Sequence, residues 1–241
     1  MGTAIRDPGP PRGTAAPQDT AGRRLRPTGG ADVPTMRGWI HLGAAVVAVP
    51  AGAVLIARSV GSGASSSVAV YSVGMLALFA VSAGYHLVPM SAGPRRVMQR
   101  ADHATIFVFI AACYTPWCVL VVSGVLGEVL LGVAWAGAAA GVVGKLVGFD
   151  RFRALTGALY LVLGWVGLIA LPDAFRVLSP AELGLTWSFA LLYTLGAFVL
   201  SRHWPDPVPD TFGYHEVWHS MVVAAAACYW LVVWSLLGQV H

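Results

Sequence analysis

Residues 210–237 read DTFGYHEVWHSMVVAAAACYWLVVWSLL, an apolar run that opens with two histidines. A helix needs about 20 apolar residues to cross a hydrocarbon core about 30 Å thick, so this run is long enough to span a membrane. His215 and His219 are four residues apart, and a helix places both imidazoles on one face, one turn from each other. That spacing suits two ligands of a tetrahedral metal ion and makes the third ligand the main question.

The composition of the chain indicates a membrane protein. Of its 241 residues, 57% are hydrophobic and 11% are charged, whereas soluble domains carry about 25% charged residues. The net charge of +4 does not indicate nucleic-acid binding, because the basic residues lie in short loops without a nucleic-acid motif. The three cysteines lie inside apolar segments and predict no disulfide framework.

Seven apolar segments predict an all-α fold, a polytopic bundle of seven transmembrane helices formed by residues 36–241. Residues 1–35 are rich in Pro, Gly, Thr, Ala and Arg and are expected to form a disordered cytoplasmic tail. Met36 would also be a reasonable start of the protein. The seven expected segments are 38–57, 67–88, 103–122, 125–147, 155–172, 183–200 and 213–237.

Two local features bear on the shape and packing of these helices. In the fourth segment, Gly137 and Gly141, and then Gly144 and Gly148, put small residues on one face, which permits close contact with neighbouring helices. Pro116 lies inside the third segment and predicts a kink or a local break there.

The basic residues predict the orientation in the membrane. With the N-terminus in the cytoplasm, thirteen of the fifteen Lys and Arg residues fall on the inner side. The outer side keeps Arg58 and Arg176. This bias satisfies the positive-inside rule. Because the number of spans is odd, the C-terminus is then expected outside.

The same topology brings four polar side chains to one depth of the membrane. His86 ends the second segment at the inner face, and Asp102 begins the third segment there. His215 and His219 lie in the first turns of the seventh segment, again at the inner face. Ionisable residues inside membrane helices are costly and usually face a cavity, a partner or a functional site. Ser82 shares a helix face with His86 at i, i+4 spacing.

We therefore expect a zinc site formed by His86, His215 and His219, with water in the fourth position. Three protein ligands plus water are typical of a catalytic rather than a structural site, and zinc lowers the pKa of its water to about 7. Asp102 would orient that water and take its proton. Ser82 would hydrogen-bond the water or a substrate carbonyl.

Other interpretations of these residues remain open. A histidine at a helix end is often only an interfacial residue, and Asp102 could simply cap the third helix. The stretch also fits His-Glu-x-x-His, the metalloprotease motif with a glutamate as general base. However, Glu216 points about 100° away from His215 around the helix, and the metzincin continuation is absent, so a capping or rim role is favoured. The histidines expected to be interfacial, loop or terminal residues are His41, His103, His203 and His241.

Five motifs within residues 75–237 occur together. They are Ser82-Ala-Gly-Tyr-His86, Asp102-His-Ala-Thr-Ile-Phe, Ala-Cys-Tyr114-Thr-Pro116, Leu-Tyr160-Leu-Val-Leu-Gly-Trp165 and Phe212-Gly-Tyr-His215-Glu-Val-Trp-His219. Together they resemble the hemolysin III-like proteins of the progestin and adipoQ receptor family, relatives of the adiponectin receptors. The resemblance implies seven helices, a cytoplasmic N-terminus and zinc on His86, His215 and His219. Ser82 and Asp102 match the serine and aspartate of the family.

The resemblance also implies a set of competing functions. The wider superfamily is similar to alkaline ceramidases, which implies a zinc-dependent hydrolase of a lipid amide or ester. The alternatives are a receptor or stress-response protein with structural zinc and a pore-forming hemolysin-like protein without turnover. An intramembrane protease is a further alternative, which comes from the His-Glu-x-x-His match and not from the resemblance. The expected partners are membrane lipids and a lipid substrate or ligand. No protein hormone is expected, because the outer loops are short.

Overall fold

The computed structural model describes residues 34–122, 124–147 and 153–239, and its regular elements there are helices with one isolated β-bridge. Seven of the described helical segments are long and apolar enough to cross a membrane, which confirms the predicted fold class. The helices are α1 Trp39–Arg58, α2 Ser65–Leu87, α3 Ala92–Leu120, α4 Gly124–Leu146, α5 Arg153–Trp165, a 3-10 helix Val166–Ala170, α6 Leu171–Val177, α7 Pro180–Arg202 and α8 Tyr214–Leu237.

The third helix is longer than the sequence predicted. It begins at Ala92 instead of residue 103 and runs through Pro116 without a break. The predicted start of this helix was wrong because hydropathy marks only the part of a helix that lies in the apolar layer. Arginines are good helix formers, so Arg95 and Arg100 extend α3 instead of forming a loop. Asp102 therefore lies about three turns inside the helix and does not cap it.

The fifth span is interrupted where the sequence predicted one helix over 155–172. Here α5 ends at Trp165, a 3-10 helix follows, and α6 continues to Val177. The hydroxyl of Tyr114 on α3 lies at this interruption. It lies 2.9 Å from the carbonyl oxygen of Gly164 and accepts a hydrogen bond from the Gly167 N–H at 2.7 Å. Backbone groups freed by a break inside a membrane need such partners, so Tyr114 stabilises the irregular segment.

Close packing at Gly137 and Gly141 of α4 confirms the role predicted for these two of the four glycines. A β-carbon on Gly137 would lie 2.8 Å from Leu163 Cδ1 of α5, and one on Gly141 would lie 2.5 Å from the Phe107 ring of α3. Gly148 lies outside the described residues. In the rest of the bundle, α1 packs on α2 and α8, α3 packs between α2 and α4, and α7 packs on α8.

Residues 1–33 lie outside the described residues, so the predicted tail stays a prediction. The chain is described from the lead-in segment, which we define as Pro34–Gly38 and which precedes α1. The N–H of Thr35 donates to the carbonyl oxygen of Asp210 at 3.1 Å, and the N–H of Met36 donates to that of Thr211 at 3.2 Å. These bonds fasten the lead-in segment to the loop before α8. We call this end of the bundle, where α1 and α8 begin and α2 ends, the histidine end.

Candidate metal centre

Three histidines meet at the histidine end. His86 lies in the last turn of α2, and His215 and His219 lie in the first two turns of α8. One potential ligand nitrogen from each lies within 4.8 Å of the other two. The centroid of the His86 ring lies 5.0 Å from that of His215 and 5.2 Å from that of His219. The structure thus brings together the three side chains that the sequence predicted as ligands.

The nitrogen atoms of this group fit a metal ion. Nε2 of His86 and Nδ1 of His219 are buried and have no hydrogen-bond partner among the described residues. Buried polar atoms nearly always have a partner, and an imidazole nitrogen without one is a suitable metal ligand. Zinc binds histidine nitrogen at about 2.0–2.1 Å in a tetrahedral arrangement. Three converging imidazoles therefore fit zinc, although metal binding itself stays a prediction.

Asp102 and Ser82 form a second polar pair at the histidine end. Ser82 is buried on α2, one turn before His86. Its hydroxyl lies within hydrogen-bonding reach of the Asp102 carboxyl on α3. Asp102 is not a member of the close three-histidine group. This position suits an outer residue that acts on a substrate or a water molecule, and not a fourth ligand.

Tyr160 fixes the part of α3 that carries Asp102. Its hydroxyl donates to the carbonyl oxygen of His103 at 2.8 Å, one residue after Asp102. Its ring packs against Phe107, with ring centroids 4.2 Å apart. The sequence motif around Tyr160 therefore contributes by holding α5 against the acidic side of the site.

Glu216 has the capping role that the sequence favoured. Its side chain is fully buried. Its Oε2 accepts the Gly213 N–H at 2.9 Å, and its Oε1 accepts Nε of Arg37 at 2.6 Å. The carboxylate thus accepts a backbone N–H at the start of α8 that has no partner within the helix, and it neutralises an arginine of the lead-in segment. Because both oxygens have partners, Glu216 is poorly placed to act as a general base.

His41 is expected from the sequence to be an interfacial residue, but it lies against the three-histidine group. His41 is 3% exposed, and its ring stacks on His219 with centroids 3.8 Å apart and an angle of 9° between the planes. Both of its nitrogens are buried without a partner among the described residues. A lone histidine has no spacing signal, and only the packing of α1 on α8 places it here. Of the other three, His103 is half-buried within α3, His203 follows the last residue of α7 and contacts Tyr214, and His241 lies outside the described residues.

The lead-in segment packs closely against the end of α2 that carries His86. Gly38 adopts a left-handed conformation with φ of 89°. A β-carbon there would lie 2.8 Å from Cβ of His86 and 2.8 Å from Cγ of Leu87. Only glycine adopts such a conformation readily, and only glycine leaves room for the end of α2. The backbone before α1 therefore helps to hold His86 in place.

Charged side chains lie beside the three-histidine group. The Arg37 guanidinium reaches the first turn of α8, where its Nε donates to Glu216, the residue after His215. Its charge is balanced by Glu216. Asp102 supplies a further acidic group on α3. Such a site can hold a divalent cation and can present both a proton acceptor and a hydrogen-bond donor beside it.

Comparisons with known proteins identify the family of this chain. Residues 31–230 match the family described as Haemolysin-III related. The Hemolysin-3 homolog of Bacillus subtilis (strain 168) is 31% identical over 168 residues, which cover 69% of this chain and 75% of the relative. Hemolysin-3 of Bacillus cereus is 28% identical over 186 residues, which cover 76% of this chain and 82% of the relative.

A more distant relative is the human Monocyte to macrophage differentiation factor, 26% identical over 172 residues, with 70% of this chain and 69% of that protein covered. No solved structure matches the chain. The family match includes every residue of the three-histidine group, and it confirms the resemblance drawn from the motifs. The chain is a multi-pass membrane protein that belongs to the haemolysin-III related family.

Proposed function

We propose that this protein is a zinc-dependent hydrolase of a lipid amide or ester, similar to a ceramidase. The observation that carries the proposal is the convergence of His86, His215 and His219, with their ligand nitrogens within 4.8 Å of one another. The Asp102–Ser82 pair beside them supports a reaction, because a purely structural site has no need of it. Zinc bound there would supply a Lewis acid and a water molecule with a pKa near 7.

The residues around the ion would have different roles in the hydrolysis. Hydrolysis breaks the bond from the acyl carbon to nitrogen or oxygen, adds the hydroxyl of water to that carbon and gives a proton to the leaving group. The carboxylate of Asp102 is the group suited to carry that proton. The Ser82 hydroxyl keeps the carboxylate oriented or binds the substrate carbonyl. Stacked His41 excludes water from the back of His219.

The substrate class follows from the place of the site in the bundle. The histidines lie at the ends of apolar helices, where the polar linkage of a membrane lipid meets its acyl chains. A lipid could present its amide or ester bond there while its chains stay in the hydrocarbon. The positive-inside rule supports a site on the cytoplasmic side. The proposed partners are membrane lipids, and neither a protein hormone nor nucleic acid is expected to bind.

Elemental analysis of the purified protein tests the metal site. We expect about one zinc per chain and a loss of most zinc in His86→Ala, His215→Ala and His219→Ala, since each removes one of three ligands. His203→Ala is the matched control, because His203 lies in an exposed position at the end of α7. Full zinc content in all three site variants would reject the site.

Turnover is tested separately with ceramide-like amides and matched long-chain esters. We expect fatty acid release by the wild-type protein, a decrease of about 100-fold or more in Asp102→Ala, and retained zinc in that variant. If wild-type protein that contains zinc releases no fatty acid from any of these lipids, the zinc would be structural. The protein would then fit the receptor or stress-response alternative.

The names of the relatives favour one second candidate. Two of them are called hemolysins, which supports permeabilisation of membranes by this chain as well. Leakage of a dye from liposomes measures it directly. Leakage that persists in His86→Ala would favour a pore independent of the metal site, and the absence of leakage from wild-type protein would reject the pore.

A further inference from the structure

An open groove runs along the outside of the bundle between α2 and α4. Ala69, Val73 and Ala77, spaced four residues apart on one face of α2, form one wall, and Trp135 of α4 forms the other. The floor belongs to α3, which packs between these two helices. The volume of the groove is about 340 Å³. An apolar cavity of about 150 Å³ holds benzene, so this groove has room for about a dozen carbon atoms.

The floor of the groove is closed toward the interior of the bundle. Gly74 of α2 and Ala112 of α3 both line it. A β-carbon on Gly74 would lie only 2.6 Å from Cβ of Ala112, and Ala112 is fully buried. The backbones of α2 and α3 are therefore in close contact here. A ligand in the groove would lie on the outer surface of the bundle, apart from the candidate metal centre.

The lining of the groove is apolar. Among the side chains that form it, only Trp135 carries a polar atom. Its Nε1 donates to Oγ1 of Thr115 at 3.2 Å, and that hydroxyl donates to the carbonyl oxygen of Ala111 at 2.9 Å. The indole N–H is thus already paired, and the 38% of Trp135 that stays exposed presents its ring. The groove therefore suits an apolar ligand.

The depth of the groove matches a single leaflet of the bilayer. The first residue of α2, Ser65, lies at the end of the bundle opposite the histidine end. Ala69 is about 6 Å and Ala77 about 18 Å from that end along the helix. The hydrocarbon core is about 30 Å thick, so its middle lies about 15 Å from either edge. The groove therefore extends from just below one head-group layer to the middle of the membrane.

This depth favours an acyl chain over a second copy of the protein. A stable protein interface buries about 800 Å² and about 20–30 residues on each side, whereas eight residues line the groove. A helix of a second copy would also continue through the other leaflet, where the groove has already ended. One acyl chain of a lipid occupies the depth that the groove covers.

We propose that this groove binds one acyl chain of a phospholipid from the leaflet opposite the histidine end, with the methyl end of the chain toward Ala77. Dispersion contacts with Val73, Ala112 and the Trp135 ring hold the chain. The bound chain connects α2 to α4, which otherwise meet through α3. This lipid is a bound partner and not a substrate, so the site does not depend on the proposed hydrolysis.

Photolabelling of the full chain in phosphatidylcholine liposomes tests the site. Two probes are used, phosphatidylcholines with a diazirine near the carbonyl end or near the methyl end of one acyl chain. Mass spectrometry of peptides locates the label. We expect the first probe to label α2 near Ala69 and the second to label α2 near Ala77 and α3 near Ala112. The reverse order would overturn the assigned leaflet, and even labelling of all the lipid-facing helices would overturn the site.

Substitutions that fill the groove separate a bound chain from lipid that merely covers the bundle. In Ala77→Phe the ring takes the place of several methylene groups, so we expect labelling of the Ala112 peptide to fall by about fivefold or more. The control is Ala53→Phe, because Ala53 is exposed on α1 near the same end of the bundle. Its effect should stay within about twofold. Equal labelling in the two variants would overturn the proposal.

Two further variants keep the test decisive. Ala69→Phe fills the other end of the groove and replaces Ala77→Phe if that variant does not fold. Val73→Cys, in a chain without the three native cysteines, tests for a second copy, because Val73 is 65% exposed beside the groove. We expect this variant to stay monomeric under oxidation in liposomes. A disulfide-linked dimer would show that a second copy covers the groove and would overturn the assignment of a lipid.

Discussion

At the scale of single residues, two of the three histidines of the candidate centre are supported in different ways. His86 is held by the backbone of Gly38, and His219 is held by the stacked ring of His41. Metal-binding histidines usually donate their second N–H to a carboxylate or carbonyl group. Among the described residues the His219 ring has no hydrogen bond to a carboxylate or carbonyl group, so stacking on His41 is the contact that fixes this ring.

Replacement of His41 tests whether its ring or its nitrogens matter. His41→Phe keeps a flat ring against His219 and removes both nitrogens, so we expect zinc affinity to stay within about threefold of wild type. His41→Ala opens a void behind His219 and should lower zinc affinity by about 10- to 100-fold, as the loss of other supporting residues does. Competition with a chelator measures both. An equal loss in the two variants would show that zinc binding needs the nitrogens of His41.

The predictable part of the site is the part with a spacing signal. His215 and His219 are one turn apart on one helix, and Ser82 and His86 repeat that spacing on another. His41 has no such partner in sequence, and its burial depends on how α1 packs on α8. The lead-in segment could not be predicted for the same reason, because its contacts with residues 210–216 are tertiary.

At the scale of elements, α4 depends on glycines that permit close contact. Gly141→Ala would place a β-carbon 2.5 Å from the Phe107 ring of α3. That ring is buried and also packs on Tyr160, so it has little room to move. We expect a loss of about 1–3 kcal/mol in the free energy of unfolding, seen as a lower melting temperature in detergent micelles.

Gly132→Ala on the same helix is the control for this prediction. A β-carbon at Gly132 would meet no atom within 4 Å, and alanine is the better helix former. We expect its melting temperature to equal or exceed that of wild type. Equal destabilisation by the two alanines would contradict the contact between α3 and α4.

The interrupted fifth span depends on the hydroxyl of Tyr114. Tyr114→Phe would leave the Gly167 N–H without its partner inside the bundle, which should cost about 1–3 kcal/mol. Unfolding of the purified protein measures the loss. Tyr85→Phe is the control, because the Tyr85 hydroxyl has no hydrogen bond among the described residues. If both variants unfold like wild type, Tyr114 does not support the interruption.

The helices themselves could largely be predicted, whereas their irregular parts could not. A long apolar run is sufficient to indicate a span. For six of the seven spans, most of the expected ends lie within a few residues of the observed ends. The early start of α3 is hidden because Arg95 and Arg100 are polar. The interruption after Trp165 is hidden because the residues that form it are apolar and the tyrosine that stabilises it lies on another helix.

At the scale of the whole molecule, α1 explains how distant parts of the chain meet. It packs on both α2 and α8, which carry the three histidines of the close group. Polar contacts fasten both ends of α8. Glu216 binds Arg37 at the histidine end, and at the other end Gln239 donates to Glu182 at the start of α7 at 2.7 Å. The three histidines therefore come together only when α1, α2 and α8 pack against one another.

The orientation of the bundle gives the last prediction. Arg95, Arg96 and Arg100 lie on the part of α3 near the histidine end, so the positive-inside rule predicts that this end faces the cytoplasm. We replace Cys113, Cys118 and Cys228 and add single cysteines in the connections between helices. Ser91→Cys and Pro207→Cys lie at the histidine end, and Val60→Cys lies at the opposite end.

A membrane-impermeant maleimide should label Val60→Cys in intact cells, because that residue is 68% exposed at the end expected outside. It should label Ser91→Cys and Pro207→Cys only after the cells are permeabilised. The reverse pattern would invert the orientation but leave the site intact. Labelling of Ser91→Cys and Pro207→Cys from opposite sides would be more serious, because His86 and His215 would then lie at opposite faces of the membrane and could not share one ion.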